Sequence, residues 1–278
     1  MSEAARERWV ELEGVRLRLT HPDEVPLTWV GNDELLTQLL ATWLVVHPED
    51  VPLNPRLIGR PGVGKTTLAY AAAKRLGKEV YIFQATIDTR PEDLLITPVI
   101  GAANELVYVA SPLVTAMLTG GVCVLDEGNR MSEKSWASLA PLLDRRRYVE
   151  SIIAGLKIPA DPEFRFVATM NDDASTFEIP EYIHSRLQPQ ILIDFPERED
   201  ELVILRENLP FADDALLEYV VDFLQAAHRS DERYTVRDGI NVARYVIKLA
   251  HTSPKEVEEL LHEAVRQILG DEGLDYLG

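Results

Sequence analysis

Two short stretches hold residues whose types and spacing suit phosphate chemistry. "GRPGVGKTT" at Gly59–Thr67 fits the pattern G-x-x-x-x-G-K-[ST]. It lies between an apolar run, "PRLIG", and a helical pattern, "LAYAAAKRL", the setting in which that spacing cradles phosphate. Glycines such as Gly62 and Gly64 let the backbone approach phosphate oxygens, and the following helix start adds positive dipole character. Lys65 is expected to reach the β and γ phosphates, and the Thr66 hydroxyl to ligate Mg²⁺. Gly59, Pro61, Gly62, Val63, Gly64, Lys65, Thr66 and Thr67 together form the expected nucleotide cradle. "VCVLDEGNR" at Val122–Arg130 is an apolar run that breaks into two adjacent carboxylates. Beside a phosphate loop, one carboxylate serves the metal and the next orients or deprotonates water, which assigns Asp126 to Mg²⁺ and Glu127 to the water. "ATMN" ends a further apolar run in Asn171, an amide suited to the γ-phosphate or to that water.

These residues need strands to carry them. Apolar, β-rich runs near Leu57, Tyr81, Val122 and Phe164 alternate with helical patterns, which predicts a parallel sheet flanked by helices, an α/β fold. "QILIDF" at Gln190–Phe195 reads as one more strand. "SWASLAPLLDRR" at Ser135–Arg146 reads as an amphipathic helix, and the β-rich pieces around Ala154 and Gly155 as a hairpin before the fourth strand. After Pro196 the pattern is helical only, with Thr235 and Asp238 spaced as a capping box. The expected organisation is a leader over residues 1–28, carrying "VRLRLT" as an edge strand or arm, a nucleotide-binding domain over 29–196 and a small all-helical domain over 197–278.

Composition narrows the functional classes. The chain has 278 residues, 46% hydrophobic and 27% charged, with a formal net charge of −18. That acidity disfavours generic attraction to nucleic-acid backbones. The acidic runs "EREDE" at Glu197–Glu201 and "EVEEL" at Glu256–Leu260 read as solvated helix faces. The lone Cys123 falls in an apolar run and reads as a small hydrophobe. With no membrane-spanning stretch and no signal-peptide core at the start, a cytoplasmic location is expected.

The order of motifs resembles the AAA+ ATPases. "VCVLDEGNR" followed by "LAPLLDRRRYVES" and "FRFVATMN" is similar, more narrowly, to the MoxR-like and dynein-related branch, which includes the chaperones CbbQ, NorQ and GvpN. The resemblance runs from about Trp29 to Ala250 and implies a P-loop sheet followed by a helical lid. It implies ATP and Mg²⁺ as ligands and a ring, most often a hexamer. "WVG" at Trp29–Gly31 matches the segment flanking the adenine, placing Val30 and Gly31 at the base. Asn171 matches sensor 1, Arg186 in "HSRL" the arginine finger that reaches a neighbouring subunit, and Arg237 in "TVRDGI" sensor 2. "PVIGAANELVYVASPLV" at Pro98–Val114 matches the region of an insert within the second helix, and Ala154 and Gly155 the pre-sensor hairpin. The chain departs from the branch at Gly128, where a hydrophobic residue is usual, and at Ser185, Arg186 and Leu187, where Asp-Arg-Phe is common. Arg145, Arg146 and Arg147 are alternative trans-acting charges.

The resemblance implies an ATP-driven chaperone that remodels a partner protein, such as one with a von Willebrand A domain. An alternative is a nucleic-acid motor or loader, for which "DRRRY" at Asp144–Tyr148 is the basic stretch on offer. A small-molecule P-loop kinase is a third reading, disfavoured by a water-activating Glu127.

Overall fold

A computed structural model describes residues 8–26, 28–101, 104–172 and 178–277. Parts of the expected leader (1–7 and 27) and of the expected insert (102 and 103) lie outside them. The chain divides into two compact units. The first takes in residues up to Trp29, then Asp33–Gly59 and Lys65–Leu192; the second gathers Val30–Asn32 and Arg60–Gly64 with Ile193–Gly278.

The first unit is built on a sheet of β3 (Arg56–Gly59), β4 (Val80–Gln84), β7 (Val122–Asp126), β10 (Arg165–Asn171) and β11 (Gln190–Leu192). Their spatial order is β11-β3-β10-β7-β4, with every neighbour parallel. The first four residues of β7 and all seven of β10 are buried, as strands covered on both faces must be. Since β10 sits between β3 and β7, the ends of the phosphate-loop strand and of the acidic strand flank Asn171.

Three helices show why this sequence covers the sheet. Between β3 and β4, α2 (Lys65–Arg75) is alanine-rich and buries Leu68, Ala69, Ala72 and Ala73. α3 (Pro112–Thr119) begins with Ser111 accepting the Val114 N–H and ends at Gly120, whose φ of 70° suits a left-handed C-cap. α4 (Glu133–Leu139) is shorter than the amphipathic pattern predicts. Pro141 lacks the N–H that would continue the ladder, yet Leu142 and Leu143 remain buried in the turn that follows. The core around them includes Tyr81, Leu113, Trp136, Phe164 and Phe166.

A second sheet corrects the reading of the leader as an arm or edge strand. β1 (Arg8–Leu12) and β2 (Val15–Leu19) form a hairpin, and β5 (Ile96–Ile100) and β6 (Leu106–Ala110) form another. The order is β1-β2-β6-β5, so β2 is internal, with Leu17 buried. Its outer partner, β6, lies far along the chain, and local periodicity carries no trace of such pairing. β8 (Tyr148–Ser151) and β9 (Leu156–Pro159) make the expected hairpin, turning at Gly155 with φ of 65°. α1 (Asp33–Thr42) and α5 (Glu181–His184) are further helices of this unit.

The second unit is carried by α6 (Arg198–Asn208), α7 (Asp214–Arg229), α8 (Val236–Ala250) and α9 (Val257–Leu269). Leucines and valines at helical spacing form its core, among them Leu205, Val220, Leu224, Val242, Leu261 and Val265. Asp213 caps α7 through the Ala215 N–H at 2.9 Å. Thr235 and Asp238 cap α8, the Thr235 N–H donating to the Asp238 carboxylate at 2.8 Å.

One acidic run is not the solvated face it resembles. Glu201 is fully buried on α6, with Gln225 donating to it at 2.9 Å and the His228 ring 3.8 Å away. Burial pushes its carboxyl up to about 7. A run of charges around one helix turn necessarily sends some of them inward, and composition alone does not say which.

Candidate active site

In the first unit, α2 begins with the two residues that follow the phosphate loop's last glycine. Lys65 is 6% exposed and donates from Nζ to the Gly59 carbonyl at 2.9 Å. Thr66 Oγ1 donates to Asp126 Oδ1 at 2.9 Å. The loop turns through Gly62 and Gly64 at φ of 89° and 94°, conformations open to glycine and the kind from which concave N–H nests are built. Inside the second unit, a Cβ on Gly62 would stand 2.7 Å from Thr235 Oγ1, so the glycine is required by contact as well as by φ. Val30 and Gly31, the candidate adenine segment, belong to that unit with Arg60–Gly64. Arg237 is exposed at the start of α8, and Pro61 is exposed beside the loop's glycines.

The ends of β7 and β10 are laced together. Thr169, fully buried, donates its hydroxyl to Asp126 Oδ1 and accepts the Glu127 N–H at 3.1 Å. Glu127 sits in the left-handed region at φ of 54°. Its Oε1 accepts from Asn171 Nδ2 at 3.2 Å, and its Oε2 lies 2.6 Å from Arg130 Nε, an ion pair by distance without hydrogen-bond alignment. The buried Asn129 amide donates to the Asn171 carbonyl at 2.8 Å and accepts the Asn171 N–H at 3.3 Å. Thus Lys65 meets the end of β3, and Thr66, Asp126, Glu127 and Asn171 share one hydrogen-bonded cluster.

Gly128 has a steric cause. A Cβ there would stand 3.1 and 3.3 Å from the Trp136 ring and 3.4 Å from Leu125. Trp136 is 1% exposed, so its indole fills the space that a hydrophobic side chain at position 128 would need.

Arg186 is engaged within its own chain. Its Nη1 donates to the Tyr182 carbonyl and its Nε lies 3.6 Å from Asp144. Arg146 holds Asp144 more closely, at 2.8 Å, and keeps that carboxyl below its ordinary range, with Arg186 adding to the effect. Arg147 donates to the Phe164 carbonyl at 2.9 Å. Arg145 is exposed and has no hydrogen bond or ion pair among the described residues.

The residues fit a nucleotide with one Mg²⁺. Among the described residues no group of three or more His, Cys, Asp or Glu is placed to hold a metal alone. Mg²⁺ commonly takes one or two protein oxygens and completes its shell with phosphates and water, which suits Thr66 and Asp126. Thr169, Asn129 and Arg130 escape motif reading. Thr169 had a usable signal: in a strand, alternate residues share a face, so Thr169 lies on the side of Asn171. No helix among the described residues is long and apolar enough to cross a membrane.

Comparison with known proteins agrees with this fold. The family model described as an AAA domain of the dynein-related subfamily matches residues 56–187, from β3 to just beyond α5. An uncharacterized protein of Staphylococcus haemolyticus is 26% identical over 175 residues, 61% of this chain and 66% of that protein; the match spans just under two thirds of the relative's length. An uncharacterized protein of Staphylococcus saprophyticus is 22% identical over 225 residues, 79% of this chain and 85% of its own length. Among solved structures, the Thermotoga maritima RuvB Holliday junction branch migration motor superposes with a TM-score of 0.57 at 16% identity, covering 86% of this chain and 70% of that one. At that identity the likeness is one of fold.

Proposed function

Since this chain is an AAA+ ATPase of the dynein-related branch, we propose that its ATP hydrolysis remodels or activates a partner protein. The observation that carries the catalytic half of this reading is the 2.9 Å bond from Thr66 to Asp126, with Glu127 next in the chain and held by Asn171. Lys65 and the loop backbone bind the phosphates. Thr66 and Asp126 hold Mg²⁺, which when bound offsets charge developing on the phosphate oxygens. Glu127 takes the proton from the attacking water, and Asn171 orients that carboxylate through its amide. Val30 and Gly31 line the base, and Arg237 contacts the γ-phosphate. Arg186 acts on a neighbouring subunit's nucleotide in a ring, a hexamer by resemblance, once it leaves Asp144. Arg145 is the alternative trans-acting charge.

The partner half rests on two hairpins of the first unit that end in apolar side chains. Ile152 is 95% exposed at the β8–β9 turn, and Ile100 and Leu106, at the paired ends of β5 and β6, are 77% and 61% exposed. Isolated exposed aliphatics are ordinary, but two hairpins ending this way suit contact with another polypeptide. The resemblance points to a partner with a von Willebrand A domain. With 28 basic against 46 acidic residues, the alternative of a nucleic-acid motor has little electrostatic support.

The test uses the Glu127→Gln protein held with ATP. It is expected to form a ring by light scattering and to retain a partner that the Ile152→Glu version of the same protein loses. A strictly monomeric protein with full turnover contradicts the ring, and salt-sensitive DNA binding that stimulates turnover contradicts the protein partner.

A further inference from the structure

The ladder between β10 and β7 ends at the pair Ala168 and Leu125. One residue further, side chains take over the pairing. Thr169 has one hydroxyl proton and two lone pairs. The proton goes to Asp126 Oδ1, and a lone pair takes the Glu127 N–H at 3.1 Å. One buried oxygen therefore joins the side chain of the first acid to the main chain of the second. Asp126 Oδ1 also receives the Thr66 hydroxyl, which leaves Oδ2 without a partner among the described residues. Asn129 then pairs with both main-chain groups of Asn171, as a neighbouring strand would.

We infer that Thr169 is a positioning residue for the ATPase reaction: its hydroxyl turns Asp126 so that Oδ2 stays available to Mg²⁺, and fixes the Glu127 backbone in its left-handed turn. This rests on the reading of Thr66 and Asp126 as the metal-holding pair. Thr169 is fully buried and acts through the two acids. Replacing it with valine keeps the shape, removes one of the two hydroxyl donors to Asp126 and leaves the Glu127 N–H without its acceptor. Losing a hydrogen bond to a charged group is worth about tenfold or more in an equilibrium. Serine keeps the hydroxyl and loses only a methyl group.

The experiment compares wild type, Thr169→Val and Thr169→Ser in the full chain. A fluorescent ATP analogue is titrated with Mg²⁺ and with a chelator, and turnover and melting temperature are followed on the same preparations. Wild type is expected to bind more tightly with Mg²⁺. Thr169→Val should match wild type in chelator to within about twofold, lose about tenfold of the Mg²⁺-dependent tightening, and lose turnover in proportion or beyond. Thr169→Ser should restore both. If Thr169→Val tightens with Mg²⁺ as wild type does, the inference fails even where the melting temperature falls, because Thr169 is then only structural. If wild type itself gains nothing from Mg²⁺, the metal role of Thr66 and Asp126 fails, and the inference with it.

Discussion

Two acidic stretches of this chain have opposite fates. "LDE" at the end of β7 is met by donors: Thr66, Thr169 and Asn171 donate to its carboxylates, and Arg130 pairs with one of them. "EREDE" at the start of α6 sends Glu201 into an apolar interior where Gln225 donates to it, while Glu201 Oε1 and His228 Nδ1 stay without hydrogen bonds. Glu127 is 30% exposed and Glu201 is not exposed at all. A carboxylate supplied with donors keeps a fixed direction, as catalysis requires. A carboxylate buried with few donors is pushed toward its neutral form. Surroundings, and not acidity in the sequence, set the two stretches apart.

The largest expected stability effect tests the buried member of the pair. Glu201 moves from an ordinary 4.5 to about 7 on folding, so the folded state holds its proton across that window. Stability from this group is complete below about pH 4.5 and is lost as pH rises toward 7, by roughly 3 kcal/mol in all. His228 opposes it: burial holds the imidazole low, so its contribution is complete above the ordinary 6.5 and is lost as pH falls below that value. Arg60 and Asp194 also act on that ring. The difference between wild type and Glu201→Gln isolates the acid. Thermal melts should show the glutamine variant gaining on wild type from about pH 5 to pH 7 and levelling off above, and a constant difference would place Glu201 in water.

Next is the turn behind Glu127. Gly128→Ile should cost about 1–3 kcal/mol by overpacking against Trp136. Adding Trp136→Leu should recover part of that loss in denaturant titrations. No recovery would mean that position 128 needs glycine for a reason other than the indole.

The smallest effect is at the cap of α8. Asp238→Ala removes the acceptor of the Thr235 N–H and hydroxyl, at 2.8 and 2.9 Å, and should lower stability by about 1 kcal/mol. Unchanged melting would show the cap to be replaceable by water.

Much of this was legible because it is local. A phosphate-loop pattern, an acidic strand end and an amide closing the next strand each announce themselves within ten residues, and the parallel sheet follows from apolar runs alternating with helices. What was illegible depends on partners distant in sequence. β2 gains its second neighbour from β6, and Thr169 meets Asp126 across two strands. Gly128 looked anomalous until Trp136, eight positions on, proved to occupy its space. Glu201 looked solvated because helical periodicity, read without packing, does not say which charged position turns inward.

If Glu127 activates water, its loss spares ATP binding and removes turnover. The direct measurement is equilibrium ATP binding and steady-state turnover on the same preparation of Glu127→Gln, with Glu201→Gln carrying the identical chemical change as its control. Glu127→Gln should bind ATP as wild type does and turn over about 10²- to 10⁴-fold more slowly, while Glu201→Gln keeps both. Wild-type turnover by Glu127→Gln would contradict the account.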